Sequence, residues 1–171
     1  MDEPEQCRDV YVQPGESHLV HGPAILRTVL GSCVGVTFRN ERRGIAALCH
    51  PMLPQYPEKS RGKLSLAASR RYVDFAIRDL AEQFDALSAP RRETVVKLFG
   101  GADVLRMHGH HARPTVGRLN REMALEVLRA EERVHGGARS PTAMILPKAT
   151  ARICNVALGI RSLPGRKISS Y

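Results

Sequence analysis

The sequence predicts an α+β domain, on three observations. Short apolar runs rich in β-branched residues, typical of strands, occur in both halves of the chain. Two longer segments have helical periodicity, and strands and helices do not alternate regularly as they do in βαβ units. With 171 residues, of which 43% are hydrophobic, the chain can bury a core without metal or disulfide support. We therefore expect one domain over residues 1–171.

Two apolar runs in the first third of the chain are the clearest strand candidates. They cover residues 28–37 and 45–54, and the polar link 39–44 ends in glycine, as expected of a hairpin. Antiparallel strands joined in this way bring distant ends of a segment together. Cys33 and His50 are therefore expected to be neighbours.

The remaining elements follow from periodicity and turn residues. A strand, a turn and a second strand are expected between residues 10 and 20, joining the sheet of the run 28–37. Apolar spacings of three, four and seven predict a helix over 66–87, and a second helix is predicted over 120–134 with Asn120 as its cap. An exposed loop is expected at 54–63, and further strands at 94–99, 143–146 and 152–158.

Cysteine and histidine spacing gives little support for a metal site. The four cysteines occupy positions 7, 33, 49 and 154. They form no Cys-x-x-Cys pair, which indicates free thiols in a reducing compartment. Because side chains alternate along a strand, Cys49 is expected to face the core rather than the side of His50, and all but Cys33 are interpreted as structural. Three histidines within 107–112 are interpreted as a solvated loop, because structural metal ligands usually come from separated elements.

Charge and hydropathy restrict the partners. The net charge is +9, from 26 basic and 17 acidic residues, which raises nucleic acid as a partner. The basic residues are scattered and aromatics make up only 5% of the chain, so a solvated basic surface is favoured, and an acidic protein surface next. No stretch approaches the ~18 apolar residues of a membrane helix, and the N-terminus lacks signal-peptide features. We expect a cytoplasmic protein without membrane insertion.

Cys33 and His50 are a candidate thiol–imidazole pair. An adjacent imidazole converts a thiol to the nucleophilic thiolate and can then protonate a leaving group. Gly31 permits a close approach of substrate to the backbone, and the N–H groups of Ser32 and Cys33 can stabilise an oxyanion. Thr28, a polar residue within the same apolar run, is the candidate to orient the imidazole ring.

Other functions remain open on these residues. Taken singly, such a cysteine is more often a small buried hydrophobe and such a histidine a hydrogen-bonded core residue. The pair would equally suit another thiol hydrolase or a transglutaminase. A protein that binds through its basic surface, without catalysis, is the alternative from a different class.

Several motifs match a known family in the same order along the chain. Thr28-x-Leu-Gly-Ser-Cys33 is followed by His50 and by Met-Leu-Pro at 52–54. Two later matches are Lys-Leu-Phe-Gly-Gly-Ala at 97–102 and Val-Gly-Arg-Leu-Asn at 116–120. Together they resemble the CheD family of chemoreceptor glutamine deamidases, from about residue 24 to residue 128, whereas the part after about 130 matches poorly. In some relatives the threonine lies one residue further from the cysteine, where this chain has Arg27.

The resemblance implies both a fold and an activity. The implied fold is a β-sandwich of mixed and antiparallel sheets flanked by helices, as in a CheD-like cysteine hydrolase. Cys33, His50 and Thr28 would form a triad that hydrolyses glutamine side chains to glutamate, with no metal or organic cofactor. The implied substrate is the cytoplasmic helical region of methyl-accepting chemotaxis receptors, and a CheC-type phosphatase is an implied regulatory partner. The alternative is a non-catalytic chemotaxis adaptor that binds receptors or a CheC-type phosphatase.

Overall fold

Strands and helices are both present in the computed structural model, which describes residues 7–60, 62–103, 114–131, 144–145 and 154–160. The strands of these ranges are β1 (Arg8–Tyr11), β2 (Ser17–His21), β3 (Ala24–Leu30), β4 (Val34–Asn40), β5 (Ile45–Cys49), β6 (Val95–Gly100), β7 (Met144–Ile145) and β8 (Cys154–Ile160). The α-helices are α1 (Leu66–Ser69), α2 (Val73–Ala86) and α3 (Val116–Ala130). The α+β class is therefore confirmed.

These strands form two sheets. The smaller has the order β1-β3-β8, with β1 parallel to β3 and β8 antiparallel to it. The larger has the order β2-β5-β4-β6-β7, antiparallel except for the β6–β7 pair. Since β3 and β4 are consecutive in the chain but belong to different sheets, the chain passes from one sheet to the other at residues 31–33.

The apolar run 28–37 is therefore two strands, and the prediction of one strand was wrong. The hydrophobic pattern continues across Gly31 and Ser32 although the backbone changes sheet there. The hairpin of β4 and β5 is confirmed, with a turn closed by Gly44 at φ 62°. The two strands predicted between residues 10 and 20 also exist, but they do not share a sheet, because β1 pairs with β3 and β2 with β5.

Apolar residues are buried in two clusters. The larger lies between the five-stranded sheet and helices α2 and α3, and Phe38 of β4 packs on Phe84 of α2 with ring centroids 5.4 Å apart. The smaller joins residues of both sheets: Val12, Val20, Ala24, Leu26, Ala46 and Leu48. Burial of these side chains fixes the sheets and helices against one another through the hydrophobic effect.

The helix predicted over 66–87 is interrupted between α1 and α2. The carbonyl of Arg71 accepts hydrogen bonds from the N–H groups of Met52 and Leu53, at 2.8 and 3.0 Å. That carbonyl is engaged with the segment after β5, so it does not continue the helical ladder. Leu66, the first residue of the predicted helix, is 52% exposed.

Helix α3 begins earlier than predicted. Its first residue is Val116, and the hydroxyl of Thr115 caps it by accepting from the N–H of Arg118 at 3.2 Å. The prediction that Asn120 caps this helix was wrong, because Asn120 lies in its second turn and is fully buried. The strands predicted at 94–99, 143–146 and 152–158 are confirmed as β6, β7 and β8.

Candidate active site

Thr28 and His50 are hydrogen-bonded in the interior although they come from different sheets. Thr28 lies on β3 and His50 directly follows β5, and each is 2% exposed. Thr28 Oγ1 lies 2.8 Å from His50 Nδ1 and 2.8 Å from the carbonyl oxygen of Val12. The structure therefore brings the candidate orienting residue directly against the candidate base.

The two contacts of Thr28 determine where the protons lie. The carbonyl of Val12 can only accept, so the single hydroxyl proton of Thr28 points to it. Oγ1 must then accept from the His50 ring, and Nδ1 carries the proton. In a neutral imidazole the other nitrogen, Nε2, then holds the basic lone pair. His50 is thus prepared to accept a proton at Nε2.

Strand alternation decides between Thr28 and Arg27 as the partner of the ring. Successive side chains on β3 point to opposite faces, and Arg27 is exposed, with its Nη2 2.7 Å from Asp9 Oδ2. Thr28 faces inward and reaches His50. The position occupied by Arg27 therefore contributes nothing to holding the ring.

The backbone of His50 is held by the turn between β1 and β2. The N–H of His50 donates to the carbonyl of Glu16 at 2.9 Å, and the N–H of Gly15 donates to the carbonyl of His50 at 2.7 Å. Gly15 has φ 84°, a conformation that glycine adopts without strain. These bonds hold the backbone of His50, and the hydrogen bond to Thr28 holds its ring.

The loop of residues 31–33 carries Cys33, and its three carbonyl groups all accept hydrogen bonds. We call the donors the support; it consists of the Gly101 and Ala102 backbone and the Asn120 side chain. The donors are Ala102 N to Gly31 O at 2.9 Å, Asn120 Nδ2 to Ser32 O at 3.0 Å and Gly101 N to Cys33 O at 2.8 Å. In a trans peptide the N–H points opposite to the preceding carbonyl, so the N–H groups of Ser32 and Cys33 point away from the support. Neither donates to an acceptor among the described residues.

Two glycines make this support possible. Gly100 and Gly101 have φ 82° and 67°. A Cβ at Gly100 would meet the carbonyl oxygen of Cys33, and one at Gly101 would lie 2.9 Å from the carbonyl oxygen of Gly117. The Gly-Gly pair thus lets one backbone segment pass close to the carbonyl of Cys33.

Cys33 lies at the same end of the β4–β5 hairpin as His50. The N–H of Val34 donates to the carbonyl of Pro51 at 3.3 Å, which joins the residues that follow each of them. No hydrogen bond links the Cys33 sulfur to the ring within the described ranges. Catalytic hydrogen bonds are often long without substrate and tighten when it binds.

The electrostatic surroundings favour neutral forms of both residues. Burial raises the pKa of Cys33, against a smaller lowering effect of its own backbone N–H. Burial also lowers the pKa of His50, against a smaller raising effect of the Val12 carbonyl. A low-polarity environment disfavours the charged form of each group. Burial thus opposes the formation of charge on each of the two side chains.

The other predicted positions fall into two groups. Cys49 is buried in the larger core, where its sulfur lies 3.7 Å from the Val36 carbonyl, and burial raises its pKa to about 12. Cys7 is exposed. The Cys154 side chain and the histidines of 107–112 lie outside the described residues. In the described part of the chain, no three His, Cys, Asp or Glu residues converge as a metal site would require.

Sequence reasoning missed the role of one residue at the site. Asn120 was interpreted as a helix cap, whereas its amide donates to the carbonyls of Ser32 and Met52. A signal was available in the sequence, because Asn120 falls at helical spacing with Ala124 and Val127 on the buried face of α3. A polar residue within an apolar stripe usually has a buried hydrogen-bonding partner.

None of the helices in the ranges that the structure describes is long and apolar enough to cross a membrane. This observation concerns the helical elements alone, since α2 and α3 have 14 and 15 residues and both carry a charged face. A membrane-spanning helix needs about 20 predominantly apolar residues.

Comparison with known proteins identifies relatives of this chain. Residues 52–138 match the family model described as CheD chemotactic sensory transduction. A probable chemoreceptor glutamine deamidase CheD 2 of Geobacter sulfurreducens is 40% identical over 122 residues, which cover 71% of this chain and 70% of that protein. The probable chemoreceptor glutamine deamidase CheD of Maridesulfovibrio salexigens is 36% identical over 129 residues, covering 72% and 74%.

The match to a third relative covers a smaller share of both proteins. The probable chemoreceptor glutamine deamidase CheD of Pseudomonas syringae pv. tomato is 38% identical over 104 residues, covering 61% of this chain and 59% of that protein. The family model covers about half of the chain, and two of these relatives match it over more than two thirds of their length. The chain therefore belongs to the CheD family.

Proposed function

We propose that this protein hydrolyses glutamine side chains of chemoreceptors to glutamate, with Cys33 as nucleophile, His50 as general base and acid, and Thr28 as the residue that orients the ring. The names of its relatives support the activity and the substrate. The observation that carries the mechanism is the chain of hydrogen bonds from His50 through Thr28 to the Val12 carbonyl. It leaves Nε2 of the ring as the only nitrogen able to accept a proton.

The first half of the reaction forms a thioester. The Cys33 thiol gives its proton to His50 Nε2 while the sulfur attacks the carboxamide carbon of the glutamine, and the carbonyl electron pair moves onto oxygen. His50 then donates that proton to the amide nitrogen, the carbon–nitrogen bond breaks, and ammonia leaves. Because burial disfavours the charged form of each residue, proton transfer is proposed to accompany the attack instead of preceding it.

Water completes the reaction. His50 Nε2 removes a proton from a water molecule as its oxygen attacks the thioester carbon, and the second tetrahedral intermediate collapses to the carboxylic acid with that proton returned to the sulfur. The acid then loses its remaining proton to solvent and becomes glutamate. The ring of His50 carries each proton that leaves or returns to the sulfur. No metal or organic cofactor takes part, because the thiol supplies the nucleophile.

The N–H groups of Ser32 and Cys33 are the proposed oxyanion donors, with Gly31 allowing the substrate to approach. The carbonyls in the same peptide units, those of Gly31 and Ser32, are hydrogen-bonded and point opposite to these N–H groups. Neither N–H has an acceptor in the described part of the chain. Donors held in place before the reaction stabilise a developing oxyanion without reorganisation. The cost of leaving two such groups unpaired is offset when the oxyanion forms.

The wider assignments rest on the family. We propose that the two sheets form a β-sandwich around the smaller core, within one deamidase domain over residues 1–171.

The substrate segment is the cytoplasmic helical region of a chemotaxis receptor, so the protein acts in the cytoplasm. A CheC-type phosphatase is the proposed regulatory partner. The whole chain has a net charge of +9, and a basic surface suits an acidic protein partner.

The decisive experiment incubates the protein with the cytoplasmic fragment of a chemoreceptor and follows glutamine-to-glutamate conversion by mass spectrometry. We expect conversion at defined glutamines with release of ammonia, and none with Cys33→Ala. Incorporation of an added primary amine in place of hydrolysis would identify a transglutaminase. If deletion of the protein impairs chemotaxis but Cys33→Ala does not, the protein acts as an adaptor and the proposed catalysis is refuted.

A further inference from the structure

We infer that Asn120 is a positioning residue that holds the nucleophile and the base in register. Two segments are concerned: the nucleophile loop (residues 31–33) and the histidine loop (residues 50–53). The inference rests on the proposed Cys33–His50 chemistry. It adds a requirement that this chemistry does not itself contain, namely that an amide on α3 connects the two loops.

The geometry of Asn120 is that of a bridge. Its Nδ2 donates to the carbonyl of Ser32 at 3.0 Å and to the carbonyl of Met52 at 3.0 Å. The side chain is fully buried, at 0% exposure. The –NH₂ group has two protons, and each is used by one of the loops. One planar group therefore fixes the distance between two segments that are separated in the chain.

The orientation of the amide is determined by its partners. A flipped amide would place Oδ1 against two carbonyl oxygens, which can only accept. In the orientation observed, Oδ1 is buried and has no donor among the described residues. An unpaired buried oxygen is destabilising, so the value of asparagine at this position lies in its two donated bonds and not in packing.

The bridge acts on the groups proposed to react. The carbonyl of Ser32 belongs to the same peptide unit as the N–H of Cys33, so binding one orients the other. Met52 is two residues after His50, in the segment that follows the base. Loss of the bridge removes the side-chain link between the oxyanion donor and the segment of the base, and leaves the Val34 N–H to Pro51 carbonyl bond as a backbone link between the two segments. Small misplacements of reacting groups cost large factors in rate.

A matched pair of variants tests the inference. Asn120→Leu keeps a similar volume and removes both donors. Asn40→Leu is the control, because Asn40 is also fully buried, donates to Thr94 Oγ1 at 3.4 Å and accepts from the Arg43 N–H, and none of its hydrogen bonds in the described part of the chain reaches either loop. We expect both to lower the melting temperature, but only Asn120→Leu to lower kcat, by about tenfold or more, with KM within about twofold.

A second readout needs no receptor. Alkylation of Cys33 by iodoacetamide is followed by mass spectrometry of the Cys33 peptide, with and without His50→Gln, as a double-mutant cycle. At neutral pH we expect His50→Gln to slow alkylation about tenfold in the wild-type and Asn40→Leu backgrounds, and less than about twofold in Asn120→Leu. If Asn120→Leu does not fold, Asn120→Ala provides the same comparison without added volume.

The outcomes distinguish a failure of the proposed role of Asn120 from a failure of the proposed function. An equal effect of His50→Gln in all backgrounds, or an equal loss of kcat in both leucine variants, overturns the role of Asn120 and leaves the proposed function intact. If His50→Gln does not affect alkylation even in the wild type, the Cys33–His50 pair is refuted and the inference is refuted with it. A wild-type protein that shows the His50 effect but deamidates no receptor fragment refutes the substrate alone.

Discussion

Cys33 and Cys49 lie near the same end of one hairpin, but only Cys33 is proposed as the nucleophile. Burial raises the pKa of both thiols, and that of Cys49 reaches about 12. Cys49 is within a strand, fully buried in the larger core. Cys33 is half-buried in the loop between the two sheets. Burial thus disfavours the thiolate form of both cysteines, so the direction of the pKa shift does not distinguish Cys33 from Cys49.

The two cysteines differ in the hydrogen bonding of the backbone around them. Cys49 is paired on both sides, with Ser17 of β2 and Val36 of β4, so its strand is closed to a substrate. At Cys33 the strand pairing stops, and the carbonyls of residues 31–33 accept from the N–H groups of Ala102 and Gly101 and from the Asn120 amide. The N–H groups of Ser32 and Cys33 have no acceptor in the described part of the chain. The proposed nucleophile therefore lies where the chain leaves one sheet and enters the other.

The largest effect that tests this contrast is the loss of the nucleophile. We expect Cys33→Ala to reduce deamidation of a receptor fragment to background, while the melting temperature changes little, because Cys33 lies in a half-buried loop outside the buried cores. Cys49→Ala serves as the matched control. Activity retained in Cys33→Ala and lost in a folded Cys49→Ala would reverse the assignment of the two thiols.

The pH dependence of kcat/KM comes next. Burial lowers the pKa of His50 below its ordinary 6.5, so the neutral base persists below pH 6.5 and activity is lost only as the pH falls through the lowered value, about tenfold per further unit. Burial raises the pKa of Cys33 above 9.0, so the alkaline limit lies above pH 9.0. Cys49, at about 12, does not titrate in this range. An alkaline limb beginning well below pH 9.0 would indicate an ion pair at the site.

Removal of the Thr28 hydroxyl is expected to have a moderate effect. Thr28→Val keeps the β-branched shape but leaves His50 Nδ1–H without its acceptor. Loss of one orienting bond of ~1 kcal/mol lowers kcat about fivefold. Thr28→Ser, which retains the hydroxyl, is the control and should remain close to wild type. Equal turnover in the valine and serine variants would show that another group holds the ring.

The smallest effect on catalysis is expected at Cys49. Cys49→Ser should keep kcat/KM within about twofold, because the side chain contacts the core and not the site. Burial of a hydroxyl there should lower the free energy of unfolding by about 1–3 kcal/mol, measured by denaturant titration. A large loss of kcat in a protein of unchanged stability would contradict the separation of the two thiols.

The sequence by itself predicted the elements that depend on local pattern. The β4–β5 hairpin followed from two apolar runs around a polar link that ends in Gly44, and the core position of Cys49 followed from strand alternation. The amphipathic character of α2 and α3 followed from helical spacing. These features are set by residues close together in the chain, and the side chains themselves carry the period of the element.

Tertiary structure decided the features that depend on which distant groups meet. A continuous apolar run does not show that the backbone leaves one sheet and enters another at residues 31–33. The break between α1 and α2 arises because the Arg71 carbonyl pairs with the segment after His50. The proton arrangement at His50 requires the Val12 carbonyl, and the role of Asn120 requires two loops far from it in the chain. A backbone carbonyl has the same identity at every position, so its partners become known only when the fold brings them together.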